Sequence, residues 1–322
     1  MKNILVTGGA GYIGSHIIEK LIKKKLNIFI VDNLTTGYKR LINKKAKFYK
    51  LNINNFELIK KLIIENKIDS VIHLAASVSV ANSKKNYKLF YENNTKGTYN
   101  LVKACKGSLV KNFVFSSTAA VYQSSNKKVT EISKIKPKSI YGITKLKAEK
   151  IIIKNLKKFK INYAILRYFN VVGASPTKKI GPMQKNDSLF KNASTAVLKK
   201  KINLKIYGND FNTKDGSCIR DYIHVSDLSD IHIKILEKIE KLKKSIVLNC
   251  GYGKGISVKQ VVNEFIKIVN KKANIVVLKR RPEDIVSSTA NNTKLRNFIK
   301  WRPKYNNLNL IVKTCLDWER KI

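Results

Sequence analysis

Tyr141 and Lys145 stand four residues apart, a Y-x-x-x-K pair. Positions i and i+4 share one face of a helix. A phenol titrates near 10, too high for a base at neutral pH. An ammonium group on the same face stabilises the phenolate and lowers that value. The pair therefore spells a proton acceptor, although in a chain rich in Tyr and Lys it could equally describe a solvated helix face. Ser116-Ser117-Thr118 weighs against the bland reading. It follows the apolar run 112–115, which puts its hydroxyls at the end of a strand beside the helix of Tyr141. Thr118 can then hydrogen-bond the same substrate oxygen as Tyr141.

A second constellation binds rather than reacts. Gly8, Gly11 and Gly14 form G-x-x-G-x-x-G between a strand pattern and a helix pattern. Glycines allow the tight turn and let the backbone approach a pyrophosphate, for which the helix N-terminus supplies N–H groups and a positive dipole end. Asp32 lies at the end of the next strand pattern, 18 residues past Gly14, near the roughly 20 expected for an acid that binds the adenosine ribose. A carboxylate there repels a 2′-phosphate, so the expected cofactor is NAD rather than NADP.

The elements that must position these groups alternate. Strand patterns at 3–7, 27–31, 47–51, 70–74, 112–115 and 162–166 are separated by helical patterns at 12–25, 56–66, 88–106 and 141–160. Such alternation predicts an α/β fold: a Rossmann-type doubly wound parallel sheet with ligands at the carboxyl ends of its strands. Past Arg167 the pattern loosens through a Gly- and Pro-containing loop, 172–187, a helix at 189–199 and a strand at 205–208. We expect a Rossmann domain over 1–168 and a smaller α/β substrate domain over 169–322, with some segments returning to the first.

Composition excludes several classes. The chain has 322 residues, 43% hydrophobic and 27% charged, enough for a real core and unlike a disordered tail or disulfide scaffold. Cys105, Cys218, Cys250 and Cys315 are scattered without a C-x-x-C, so no metal site is expected. No apolar run reaches the roughly 18–20 residues of a membrane span, and no leader pattern opens the sequence. A cytoplasmic protein without a membrane partner is the expectation. The net charge of +44 would suit a nucleic-acid partner. Yet only eight of the 65 basic residues are Arg. Phosphate recognition favours the arginine fork, and the lysines are spread along the whole chain. Compositional bias, with no nucleic-acid partner, is the reading we adopt.

The motifs resemble those of the extended short-chain dehydrogenase/reductase family, in its nucleotide-sugar 4-epimerase branch. The matching stretches run nearly end to end: Val6–Ser15, Asp32-Asn33-Leu34, His73-Leu74-Ala75-Ala76, Asn93-Asn94, Phe115–Tyr122, Arg167-Tyr168-Phe169-Asn170, Gly208-Asn209-Asp210, Arg220–Val225 and Arg280–Asp284. The glycine stretch is common to the superfamily; the Arg-Tyr-Phe-Asn and Arg-Asp-Tyr-Ile-His stretches together are narrower. The resemblance implies that Tyr12, Ile13, Asp32, Asn33, Asn52, Ile53, Ala75, Asn93, Lys145 and Phe169 meet NAD. It makes Tyr141 the base and Thr118 its partner at the sugar hydroxyl. Asn170, Ser188, Leu189, Tyr207, Arg220, Arg281, Asp284 and Ser288 would hold the nucleotide sugar. The implied reaction is epimerisation at C4 of a UDP-hexose through a transient 4-keto sugar, by a homodimer built on a helix bundle. Ser288, seven residues after Arg281, falls where a large residue would exclude an N-acetyl group, so UDP-N-acetylhexosamines join the expected substrates.

The sequence departs from the family at several places. Asn52 replaces a usual Asp at the adenine, Gln123 a usual Gly, Val78 an occasional Lys near the phosphates, and Ser188 a usual Asn or His. Two alternatives stay open. A nucleotide-sugar 4,6-dehydratase or decarboxylase would want proton-transfer groups after the Thr, where this chain has Ala119 and Ala120. A nucleic-acid-binding protein on an inactive dehydrogenase fold would account for the charge but not for Thr118, Tyr141 and Lys145 together.

Overall fold

The first strand is dictated by a short apolar run, Ile4-Leu5-Val6, whose side chains are completely buried. It belongs to a computed structural model that describes residues 1–78, 83–84, 86–183, 188–281 and 284–322. Gln184–Asp187 of the expected loop, and Pro282 and Glu283 of the Arg280–Asp284 stretch, lie outside the described residues. The strands in chain order are β1 (Asn3–Thr7), β2 (Asn27–Asp32), β3 (Lys47–Lys50), β4 (Ser70–His73), β5 (Asn112–Thr118), β6 (Asn162–Tyr168) and β7 (Asn170–Val172). They continue as β8 (Asn203–Tyr207), β9 (Ile219–His224), β10 (Ile246–Cys250), β11 (Gly255–Ser257), β12 (Asn274–Leu278) and β13 (Ser287–Ser288).

The chain divides into two compact units. One holds 1–121, 136–167 and 229–248; the other holds 122–135, 168–228 and 249–322. A single cut after Tyr168 therefore describes neither. Residues 122–135 go with the second unit because Val129 bonds both ways with its neighbour strand: Val129 N donates to Thr289 O at 2.9 Å and Asn291 N to Val129 O at 2.8 Å. Residues 229–248 go with the first, where Lys20 pairs with Asp230 and Lys24 with Glu237.

In the first unit seven strands form a parallel sheet in the order β10-β6-β5-β4-β1-β2-β3. The chain winds outward from β1 in both directions, as the alternating pattern predicts for a doubly wound sheet. Leu5, Val71, Phe113 and Ile165 from adjacent strands join Ile59, Leu62, Leu101 and Ile152 from the helices in one buried cluster. Helix starts are written locally: Asn55 caps Phe56–Glu65 through Leu58 N, and Ser139 caps Ile140–Lys158 through Gly142 N.

Two expected elements differ. β5 runs to Thr118, so Ser116-Ser117-Thr118 lie on the strand and not after it; all seven of its residues are buried. The single helix expected over 88–106 is three segments: Tyr87–Phe90, a π-helical turn Tyr91–Lys96, and Gly97–Ala104. The wider turn lets consecutive residues, Asn93 and Asn94, both address Ser77. Such turns tend to occur at functional sites.

The second unit holds a four-stranded group, β11-β9-β13 with β7 against β9, and a parallel pair β12-β8. The helix Val258–Val269 opens on a capping box between Ser257 and Gln260. Among the described residues no helix is long and apolar enough to cross a membrane, and no His/Cys/Asp/Glu cluster could hold a metal.

Candidate active site

β1 delivers the chain to Gly8, at φ +73°, a left-handed conformation that glycine adopts without penalty. A Cβ on Gly8 would stand 2.7 Å from Ala75 N, and one on Gly14 would stand 2.3 Å from Gly8 O. The loop is thus a cradle of bare backbone. Gly11 gives the helix Tyr12–Ile22 no side-chain cap, and no acid sits in its first turn. The N–H groups of Tyr12, Ile13 and Gly14 therefore open on an end suited to an anion.

Asp32 closes the other side. Its buried carboxylate accepts from Ala10 N at 3.0 Å and Leu34 N at 2.8 Å, tying the end of β2 to the glycine loop. Burial pushes the group above the ordinary carboxylate range, against the pull of those two donors. Each oxygen keeps a lone pair for a ribose hydroxyl. Cradle and carboxylate together fit a dinucleotide's diphosphate and ribose.

The remaining expected cofactor residues fall in several settings. Asn33 Oδ1 accepts from Thr35 N and Oγ1, and Asn52 Oδ1 from Asn54 N at 2.9 Å. The side chain of Ile53 is buried in the core cluster, so only its backbone can meet a ligand. Ala75 N reaches Thr7 Oγ1 at 3.4 Å, and Asn93 Nδ2 donates to Ser77 Oγ at 2.9 Å. Val78 is exposed. Phe169 belongs to the second unit, with its N–H on Cys250 O.

The reactive set is assembled at the end of β5. Tyr141 lies in the first turn of the helix Ile140–Lys158, hydrogen-bonded to the Thr118 hydroxyl. Thr118 Oγ1 also accepts from Ala120 N at 3.1 Å. Gly142 makes this approach possible: a Cβ there would stand 2.5 Å from Ala120 O. Desolvation pushes the Tyr141 phenol up to about 12, with the Thr118 bond pulling the other way. Lys145, one turn on, is buried with its ammonium 4.2 Å from the Phe115 ring centroid. Burial lowers it to about 7, opposed by the Glu149 carboxylate. The positive charge of an oxidised nicotinamide beside this pair would favour the phenolate.

Arg167, Ser117, Asn94 and His73 lie in stretches that the sequence singles out, but their partnerships, and Glu149, were not legible in it. Arg167 binds both oxygens of Glu149, at 3.0 and 2.7 Å, and Ser117 donates to the same carboxylate. Asn94 accepts from Ser77 N at 2.7 Å and donates to Thr144 Oγ1 at 3.1 Å, fastening a loop to the catalytic helix. His73 is buried between Thr7 and Thr98, at 2.7 and 2.9 Å. Thr98 already donates to Asn94 O, so His73 Nε2 carries the proton; burial first, then the Lys145 charge, hold it neutral, near 3.

The second unit contains a cavity of about 600 Å³, within the range of small-ligand sites. Asn170, Ser188, Leu189, Tyr207, Arg220, Arg281 and Asp284 line it, as expected. Ser288 does not; it lies on β13 in register with Arg220 on β9. Arg220 is aimed by Ile219 O and Ile285 O, at 2.9 and 2.7 Å, and by Asp284 Oδ1 at 3.2 Å. The Arg281 guanidinium stacks 3.9 Å from the Tyr207 ring centroid. Lys205 also lines the cavity; the signal was period-2 spacing, since Asn203, Lys205 and Tyr207 share one face of β8. Three cations against one carboxylate suit a diphosphate.

Comparison with known proteins agrees with this geometry. The family model "NAD dependent epimerase/dehydratase family" matches residues 4–251. A UDP-glucose 4-epimerase of Lactobacillus helveticus is 37% identical over 319 residues, 98% of this chain and 97% of that one. The structure of a UDP-glucose-4-epimerase from Stenotrophomonas maltophila, with bound NAD and formylated UDP-arabinopyranose, superposes with a TM-score of 0.93 at 30% identity, covering 100% and 98% of the two chains. That of a UDP-Glc/GlcNAc 4-epimerase from Campylobacter jejuni gives 0.87 at 37% identity, covering 100% of both. The chain belongs to the NAD-dependent epimerase/dehydratase family.

Proposed function

We propose that the chain interconverts UDP-glucose and UDP-galactose by NAD-dependent epimerisation at C4. The observation that carries this reading is the Tyr141–Thr118 hydrogen bond beside buried Lys145, in a chain of this family. The first unit is the cofactor domain. Gly8, Gly11 and Gly14 and the N–H groups of Tyr12 and Ile13 hold the pyrophosphate; Asp32 and Asn33 hold the adenosine ribose. Asn52 and the backbone of Ile53 meet the adenine, and Ala75, Asn93 and Lys145 complete the site.

The second unit is the nucleotide-sugar domain. Arg220 and Arg281 bind the diphosphate and Asp284 a ribose hydroxyl, with Asn170, Ser188, Leu189 and Tyr207 as further walls. Tyr141 takes the proton of the C4 hydroxyl, and Thr118 holds that oxygen. When bound, NAD supplies a reversible hydride acceptor for C4, leaving a 4-keto sugar. The UDP end stays anchored while the sugar turns, so that the hydride would return to the opposite face of C4 as Tyr141 returns its proton to the C4 oxygen. Ala119 and Ala120, the residues that follow Thr118, offer no proton for a dehydration.

The same reading extends to two copies and to compartment. Tyr87, Leu89, Tyr91, Tyr99 and Ile153 are exposed apolar side chains of the first unit, and they form the face through which a homodimer pairs. Four buried free cysteines fit a reducing cytoplasm. The test is direct: release and identify the dinucleotide from denatured protein, then supply UDP-galactose without added NAD and assay UDP-glucose. Dehydrated or decarboxylated product in place of UDP-glucose would overturn the assignment.

A further inference from the structure

The helix Leu308–Glu319 gives no residue to the cavity lining, yet it holds the helix Leu189–Val197, which does, and the stretch 174–182 that runs on from the lining residues Asn170–Val172. Thr314 Oγ1 accepts from Ala174 N at 3.3 Å, and Asp317 pairs with Lys178 at 3.4 Å. Trp318 Nε1 donates to Pro182 O at 3.0 Å. The indole leaves no room for a side chain at 181, where a Cβ would come within 2.5 Å of its ring. Glu319 receives Lys191 Nζ at 2.7 Å and Thr195 Oγ1 at 2.8 Å.

The last two contacts define an orientation. Lys191 and Glu319 are 4% and 10% exposed, and a buried ammonium must keep its carboxylate. Lys191 and Thr195 sit on the helix Leu189–Val197, whose other face gives Leu189, Asn192 and Ala193 to the cavity. Fixing Lys191 fixes the rotation of that helix, and so the depth at which Leu189 and Asn192 stand in the cavity. Trp318 fixes, at Pro182, the stretch that runs on from β7, whose Asn170, Val171 and Val172 line the cavity.

We propose that Trp318 and Glu319 are positioning residues of the nucleotide-sugar site, which set the affinity for the uridine diphosphate moiety by holding one cavity wall in its binding arrangement. The proposal rests on reading the cavity as that site. A wall held before binding spares the ligand the ordering cost that a loose wall imposes. Because neither residue meets the reacting sugar, the effect falls on binding and not on turnover.

The experiment titrates uridine diphosphate into the NAD-loaded protein by calorimetry and measures kcat and KM for UDP-galactose. Trp318→Phe keeps an aromatic side chain while removing the indole N–H and trimming the ring packed on Gly181; Thr195→Val removes one ligand of Glu319 without stranding Lys191. Each should weaken uridine diphosphate about three- to tenfold, the range of one net hydrogen bond. KM should rise in step, with kcat within about twofold of the parent. In a Trp301→Phe background, where Trp318 is the sole indole, its emission should titrate with the calorimetric affinity. Unchanged affinity in both variants, or a fall in kcat at constant KM, overturns the proposal. Arg220→Ala separates the two levels: if it too binds uridine diphosphate as tightly as the parent, the nucleotide does not sit in this cavity and the reading beneath the proposal falls.

Discussion

Arg167 holds Glu149 by both carboxylate oxygens, at 3.0 and 2.7 Å, one helical turn beyond Lys145. Both side chains are buried, and the Glu149 charge opposes the burial that drives Lys145 down. Replacing Glu149 by Gln removes that support and strands the Arg167 charge. The Lys145 ammonium then loses its proton at a lower pH, so the alkaline limb of the kcat/KM profile should move toward acid. Unfolding should become easier by about 3–5 kcal/mol, the cost of breaking a buried pair. Rate profiles and urea titrations of Glu149→Gln check both; an unmoved limb in a folded variant would remove Glu149 from the account.

Gly142 is predicted to be as sensitive as the residues that react. Its missing Cβ lets the catalytic helix lie against Ala120 O, which is what brings Tyr141 to Thr118. Gly142→Ala should push the helix off this contact and lower kcat at least tenfold, since small misplacements of a catalytic group are costly. Bound dinucleotide per chain should stay at the parent level, because the glycine cradle is untouched.

The substrate range should hang on Ser288. It does not line the cavity, but it is half-buried on β13 in register with Arg220, which does. The parent chain should epimerise UDP-N-acetylglucosamine, and Ser288→Tyr should lose that activity while keeping UDP-glucose. Overpacking costs about 1–3 kcal/mol, which corresponds to roughly ten- to hundredfold in relative turnover. A parent enzyme inert toward the acetylated sugar at saturation would end the gate assignment.

Lysine also occupies turns where glycine is favoured. Lys25, Lys67, Lys160, Lys243 and Lys300 follow helices with φ between 46° and 57°. The left-handed conformation costs a side-chain residue about 1–2 kcal/mol, of which glycine's unfolded-state entropy takes back about half. Lys25→Gly and Lys160→Gly should each therefore stabilise by about 0.5–1 kcal/mol. A rise in the denaturation midpoint at constant slope is the check. Lysine in such turns fits a compositional origin for the +44 charge.

The doubly wound sheet was readable because its parts are local: apolar runs, a glycine turn, and helical patterns between the strands. Tyr141, Lys145, Thr118 and Asp32 were readable because their spacing in sequence is tied to those elements. The pairing of Glu149 with Arg167 was not, since a helix and a strand bring them together: Arg167 stood out only as part of a matching stretch, and Glu149 not at all. The same holds for Lys191 and Glu319, 128 positions apart. The π-helical turn at Tyr91–Lys96 escaped for a related reason: its apolar spacing reads as an ordinary helix, and its partner Ser77 is distant in sequence. Ser116–Thr118 read as lying beyond β5 because polar residues end a strand pattern, whereas here Ser117 bonds to Glu149 and Thr118 accepts from Ala120 N.

The claim at the centre is that Tyr141 is the base of a C4 epimerisation. Tyr141→Phe keeps the ring against Phe90, which it meets edge-on at 6.5 Å, and removes only the hydroxyl. Turnover of UDP-galactose to UDP-glucose by the purified variant, compared with the parent at equal dinucleotide content, tests this most directly. The expected loss is about 10²–10⁴-fold, the usual contribution of a general acid–base group. A Tyr141→Phe enzyme that keeps more than half of the parent's turnover would contradict it.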